Sequence, residues 1–181
     1  MQPIGEAYLD IETTGLSPNY HEVTVVGIHV RNGSESKLIQ LVGKEISGAS
    51  ILEALEGVNT IYTYNGSRFD LPFIYVCHNV NLAKEFQHCD LMHQCWKNNL
   101  YGGLKSVEQQ LCIPRKLTEI NGHEAVRLWW RYIDYFDLDA LTTLLEYNKE
   151  DVLNLKALKE RLLQALPSNL SNKWKWVDKG L

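Results

Sequence analysis

From Ala7 to Glu12 the side chains alternate. Ala7, Leu9 and Ile11 fall on one side and Tyr8, Asp10 and Glu12 on the other, the two-residue period of a β-strand. Thr13-Thr14-Gly15 ends that strand, and Ser17-Pro18-Asn19-Tyr20 reads as a turn. Val23–Val30 (VTVVGIHV) is dominated by Val and Ile, the pattern of a buried strand. Arg31-Asn32-Gly33-Ser34 signals a hairpin into a third strand over Lys37–Val42. Ser47 is placed to cap a helix over Ser50–Glu56 that Gly57 ends. Thr60–Tyr64 predicts a fourth strand, broken by Asn65-Gly66, then Phe69–His78 a helix and Phe86–Leu91 a short fifth strand. Beyond that the period becomes helical. Leu104, Val107 and Leu111 share a face, and Pro114 closes that helix. His123–Ile133 predicts another, with Trp129 and Trp130 as core and rim. Asp137–Ala165 predicts one long helix or two joined ones. Hairpin-joined strands, then strand–helix–strand, then helices predict an α/β protein with a mixed sheet flanked by helices.

At 181 residues the chain is expected to form one domain over 1–181, with the polar stretch 168–181 a loose tail. A hydrophobic content of 45% with 22% charged residues is ordinary for a soluble globular protein. The net charge of −4 gives no broad electrostatic footprint for nucleic acid, although acidic residues loaded with divalent metal would reverse the local sign. The four cysteines, Cys77, Cys89, Cys95 and Cys112, contain no C-x-x-C pair and predict reduced thiols in a cytoplasmic protein. The segment from His88 to Cys95 matches no usual zinc spacing. No apolar run reaches the roughly 18 residues of a membrane span. No basic region followed by an apolar core precedes the first strand, so no signal peptide is expected.

The candidate chemistry lies in carboxylates that interrupt apolar patterns. Asp10 and Glu12 sit two apart on one face of the first strand, where side-by-side burial would make them repel unless a divalent cation lay between them. Asp70 stands where the fourth strand gives way to a helix, a good capping position and also where ligands bind in α/β sheets. Leu144, Tyr147, Asp151, Leu155, Leu158 and Leu162 follow at spacings of three or four, one stripe on one helical face. A carboxylate on such a stripe is costly unless paired or metal-bound. Each position alone also has a plain reading: a wet strand face for Asp10 and Glu12, a helix cap for Asp70, a solvated helix edge for Asp151.

The ordered set Asp-x-Glu-Thr-Thr-Gly, Asn-Gly-x-x-Phe-Asp and Tyr-x-x-x-Asp resembles the DEDD group of 3′→5′ exonucleases, over residues 6 to about 165. That resemblance implies a ribonuclease H-like fold with a mixed five-stranded sheet. One branch of the group has histidine five residues before the last aspartate, where this chain has Glu146; the other has tyrosine four before it, here Tyr147. The chain therefore resembles the tyrosine branch, DEDDy, and small stand-alone exonucleases within it. The resemblance implies a pair of divalent cations, Mg2+ or Mn2+, with Asp10 bridging both. Glu12 and Asp151 would hold the ion that activates water, and Asp70 would reach the other through waters. Tyr147 would orient the attacking water. Thr14, Leu16, Asn65 and Phe69 would lie near the terminal nucleotide, unless Leu16 and Phe69 are core. Lys105 and Arg115-Lys116 would meet backbone phosphates, unless they are a solvated face. The implied substrate is single-stranded DNA or RNA with a free 3′ end. A binding module without turnover and a ribonuclease H-like endonuclease are the alternatives. The intact acidic set argues against the first, Tyr147 and Thr-Thr-Gly against the second.

Overall fold

The computed structural model describes residues 5–165; the expected tail at 168–181 lies outside them. Strands β1 (Gly5–Thr13), β2 (Val23–Asn32), β3 (Glu35–Val42), β4 (Val58–Thr63) and β5 (Gln87–Asp90) form one sheet in the order β3-β2-β1-β4-β5. β1 pairs antiparallel with β2 and parallel with β4; β2–β3 is antiparallel and β4–β5 parallel. The helices are α1 (Gly48–Ala54), α2 (Asp70–His78), α3 (Leu82–Glu85), α4 (Leu91–Lys97), α5 (Leu104–Gln110), α6 (Gly122–Tyr135) and α7 (Leu138–Ala165). This mixed five-stranded sheet flanked by helices is the ribonuclease H-like α/β fold.

The two faces of β1 go where its alternation sends them. Ala7, Leu9 and Ile11 join Val26 and Ile28 of β2 under Ile51 and Leu55, and under Phe73 and Ile74 of α2. Tyr8, on the other face, packs with Leu91, Val107, Leu155, Leu158 and Leu162. Val25 continues that second face to Leu128, Trp129, Leu144 and Tyr147. The β1–β2 register shifts between Glu12 and Thr13, a bulge that ends regular pairing just past the two carboxylates.

α7 is a single helix of 28 residues, about 42 Å long at the usual rise per residue. Its predicted stripe is buried: Leu144, Leu155, Leu158 and Leu162 are at most 1% exposed. Each such leucine contributes on the order of 2 kcal/mol, which seats the helix on the sheet and carries Tyr147 and Asp151 over β1. Ser47 caps α1 as expected, with Ser50 closing a reciprocal capping box. α3 is not foreseen; the segment 88–95 is a plain strand-to-helix junction, α4 starting directly from β5 with Asp90 as its cap. Trp129 is buried and Trp130 exposed, as core and rim.

Candidate metal and active site

β1 and α7 supply the centre of the site. Ligand oxygens of Asp10, Glu12 and Asp151 all lie within 4.8 Å of one another. Glu12 and Asp151 are buried and Asp10 is half-buried. The Asp10 and Glu12 carboxyls are held well above the usual carboxylate range, first by burial and then by repulsion from Asp151. Asp151 is pushed up to about 6 by burial, against the pull of the Arg115 guanidinium. Burial likewise lifts the Tyr147 hydroxyl above its ordinary value, aided by Asp151, Glu12 and Asp10.

Asp70 does not act as the predicted cap. It is the first residue of α2, preceded by Phe69, and its Oδ1 accepts the Ile11 N–H across the sheet at 3.1 Å. That bond ties the start of α2 to β1. Asp70 stands outside the three-carboxylate group, is buried, and is pushed up to about 7 chiefly by that burial.

One cleft is lined by Asp10, Glu12, Tyr147 and Asp151 together with Leu16 and Phe69. Leu16 is not core: it is 86% exposed, on the rim. Phe69 is half-buried, its ring 4.9 Å from Phe73. Thr14 instead fastens the following loop, its N–H donating to the Glu22 carbonyl at 2.9 Å and its hydroxyl accepting the Glu22 N–H at 3.0 Å. Asn65 turns the chain after β4 with φ 63°. Lys105 donates to the carbonyls of Leu117 and Thr118 and sits 5.1 Å above the Tyr147 ring, so it borders the site without being a freely solvated lysine. Arg115 is neither solvated nor free for a phosphate. Its side chain is buried against Glu108 and Asp151.

Sequence reasoning missed three groups that shape this site. Asn148 donates from Nδ2 to the Asp10 carboxylate at 3.0 Å and to its carbonyl at 3.3 Å. Its Oδ1 accepts from Gln40 at 3.0 Å. Gly27, paired with Asp10 across the sheet, lets that amide in: a Cβ there would lie 2.1 Å from Asn148 Oδ1. Glu108 is the second, holding against Asp151 the guanidinium of Arg115, which the sequence places at a phosphate. The third is Asp90, whose carboxylate accepts N–H groups of Asn65, Ser67 and Met92 and the Ser67 hydroxyl, pinning the loop that leads to Phe69 and Asp70. Asn148 was within reach, since Leu144, Asn148, Asp151 and Leu155 also follow at spacings of four, three and four.

A central strand and a late helix that converge on three clustered acids define an α/β protein with a group of carboxylates able to hold a metal ion. The chain belongs to the RNase_H superfamily, matching its RNase_H_2 model over residues 7–163. It is 28% identical over 165 residues to the uncharacterized protein YprB of Bacillus subtilis (strain 168), covering 83% of this chain but only 40% of YprB. A family B DNA polymerase of the hyperthermophilic archaeon Pyrobaculum calidifontis shares the fold at a TM-score of 0.66 and 16% identity, over 89% of this chain and 25% of the polymerase. Brucella melitensis NrnC bound to pGG shares it at a TM-score of 0.63 and 21% identity, over 94% of this chain and 77% of that one; NrnC has also been solved with bound Mg2+. Exonuclease I is similar as well, at a TM-score of 0.57 and 13% identity over 96% of this chain and 44% of that one.

Proposed function

We propose that the protein is a metal-dependent 3′→5′ exonuclease of the DEDDy type that hydrolyses single-stranded DNA or RNA from a free 3′ end. The observation that carries this reading is the convergence of Asp10, Glu12 and Asp151, with Tyr147 in the same cleft. The residues fit Mg2+ or Mn2+: all the donors are oxygens, they are desolvated, and their mutual repulsion is relieved by a cation. When bound, a pair of such ions neutralises the phosphodiester and lowers the pKa of an attacking water. Asp10, Glu12 and Asp151 would hold the ions directly, and Asp70 would contribute through waters. The Tyr147 hydroxyl keeps its proton, because burial and three carboxylates disfavour the phenolate. It therefore serves to orient the water or phosphate by a hydrogen bond and not as the base. Leu16 and Phe69 offer apolar surface at the cleft for the terminal base, Thr14 and Asn65 shape the turns beside them, and Lys105 supplies positive charge near the phosphate. The fold shared with exonuclease I and with pGG-bound NrnC is compatible with this reading. Cytoplasmic location belongs to this reading on the strength of the cysteine pattern.

The test is a gel of end-labelled single strands, DNA and RNA, with Mg2+ or Mn2+. A bulky block at the 3′ end should stop degradation and one at the 5′ end should not. Cutting of a closed circle at a comparable rate identifies an endonuclease instead, and absence of hydrolysis with both metals identifies a binding module.

A further inference from the structure

We propose that Arg115 is a positioning residue of the carboxylate site, a resident counter-cation that holds Asp151 by one oxygen and leaves the other for a metal ion. This rests on the reading of Asp10, Glu12 and Asp151 as metal-holding. Arg115 lies in the segment between α5 and α6, and its side chain is 5% exposed. Its Nε donates to Glu108 Oε2 at 2.6 Å and its Nη2 to Glu108 Oε1 at 2.7 Å, a parallel fork. Glu108, on α5 and 1% exposed, also accepts from Asn154 of α7 at 3.1 Å. Both Glu108 oxygens are thus committed to holding the guanidinium, so this buried acid works as an anchor rather than a ligand. From that anchor Arg115 Nη2 donates to Asp151 Oδ1. The next residues are tied to α7 as well: Glu150 accepts the N–H groups of Lys116 and Leu117 at 2.6 and 3.0 Å.

A guanidinium keeps its charge at every working pH. It therefore acts on the site in two opposite ways. Its fork onto Glu108 fixes the guanidinium, whose Nη2 then holds the orientation of Asp151, which favours turnover. Its charge offsets the crowding of three acids when no metal is bound, and repels an incoming cation when one arrives. Loss of Arg115 should split these effects, tightening metal binding while slowing the reaction. A residue that only packs would weaken both together.

The experiment measures Mn2+ binding calorimetrically, without nucleic acid, beside hydrolysis of an end-labelled single strand, using the full chain. The variant is Arg115→Gln, which removes the positive charge and leaves Glu108 the donor of Asn154. It should bind Mn2+ at least about tenfold more tightly than the wild type, with turnover lowered roughly tenfold to a hundredfold. Arg115→Lys keeps the charge and loses the fork, so its Mn2+ affinity should stay within about threefold of wild type while turnover falls. Mn2+ affinity in Arg115→Gln that is unchanged, or that falls along with turnover, overturns the proposal. So does a clear loss of affinity in Arg115→Lys, whether or not Arg115→Gln folds. A wild-type protein that binds no Mn2+ at all would instead remove the metal reading on which the proposal stands.

Discussion

At the end of β5, the buried carboxylate of Asp90 takes four hydrogen bonds, three from backbone N–H groups and one from the Ser67 hydroxyl. On β1, the Asp10 carboxylate takes one, from Asn148, and lies crowded against Glu12 and Asp151. Both are acids inside a folded chain, yet their surroundings differ in kind. Donors aimed at Asp90 make its charge cheap to bury and turn it into a staple for the loop before α2. The β1 acids have other acids as neighbours, so burial and repulsion raise their pKa values and leave them wanting a cation. The number of donors around a buried carboxylate thus separates the acid that organises the fold from those proposed to hold metal.

The sharpest way to break this contrast is to neutralise one acid of each kind. Asp10→Asn and Asp151→Asn should each lower nuclease turnover by at least about a thousandfold, since the charge set that holds the ions is lost. Asp10→Asn should leave metal-free stability in urea equal to or above wild type; a clear loss would make Asp10 another staple. Asp90→Ala should do the reverse in stability, costing roughly 3 kcal/mol or more as three backbone N–H groups lose their acceptor. Nuclease activity that survives intact in a folded Asp90→Ala protein would show that the loop needs no such pin.

A finer test uses pH. Asp70 and Asp151 have folded pKa values of about 7 and about 6, above the ordinary value of 3.8. In that interval the folded protein binds more protons than the unfolded one. The stability they contribute is complete below about pH 4 and is lost as pH rises through 6 and 7. Asp70→Asn, which can still accept the Ile11 N–H, should match wild type near pH 4 and exceed it by on the order of a few kcal/mol at pH 8 without metal. Thermal melts in chelator across that range would give parallel curves if Asp70 were ordinary. The smallest expected effect is that of Tyr147→Phe: turnover lower by roughly tenfold to a hundredfold, with the metal activation curve unmoved. A shifted curve would place Tyr147 among the groups that hold metal.

Much of this arrangement was legible in the chain because it is periodic. The two-residue period of β1 put Asp10 and Glu12 together, and the three-and-four spacing of α7 put Tyr147 and Asp151 on the buried face. What periodicity cannot carry is the partner across the fold. Arg115 meets Asp151 from 36 positions away, out of a segment with no pattern of its own. Asp70 looked like a helix cap because capping is a local rule, while its actual acceptor role is toward Ile11 on β1, 59 positions back. Asp90 hid for the same reason. It falls at an expected strand-to-helix junction, but its role as acceptor for the loop before α2 reaches across the fold and has no periodic signal.

Gly27 offers no acid, base or ligand, yet it sets how near α7 can come to the sheet. A methyl group in its place would lie 2.1 Å from Asn148 Oδ1, and the amide that holds Asp10 and accepts from Gln40 would have to move. A displacement of about 1 Å is the scale at which a misplaced group costs on the order of a hundredfold in rate. β2 therefore works as a spacing gauge for reactions performed between its neighbours. An alanine at this position would read in an assay like the deletion of a catalytic side chain, with every catalytic side chain still present.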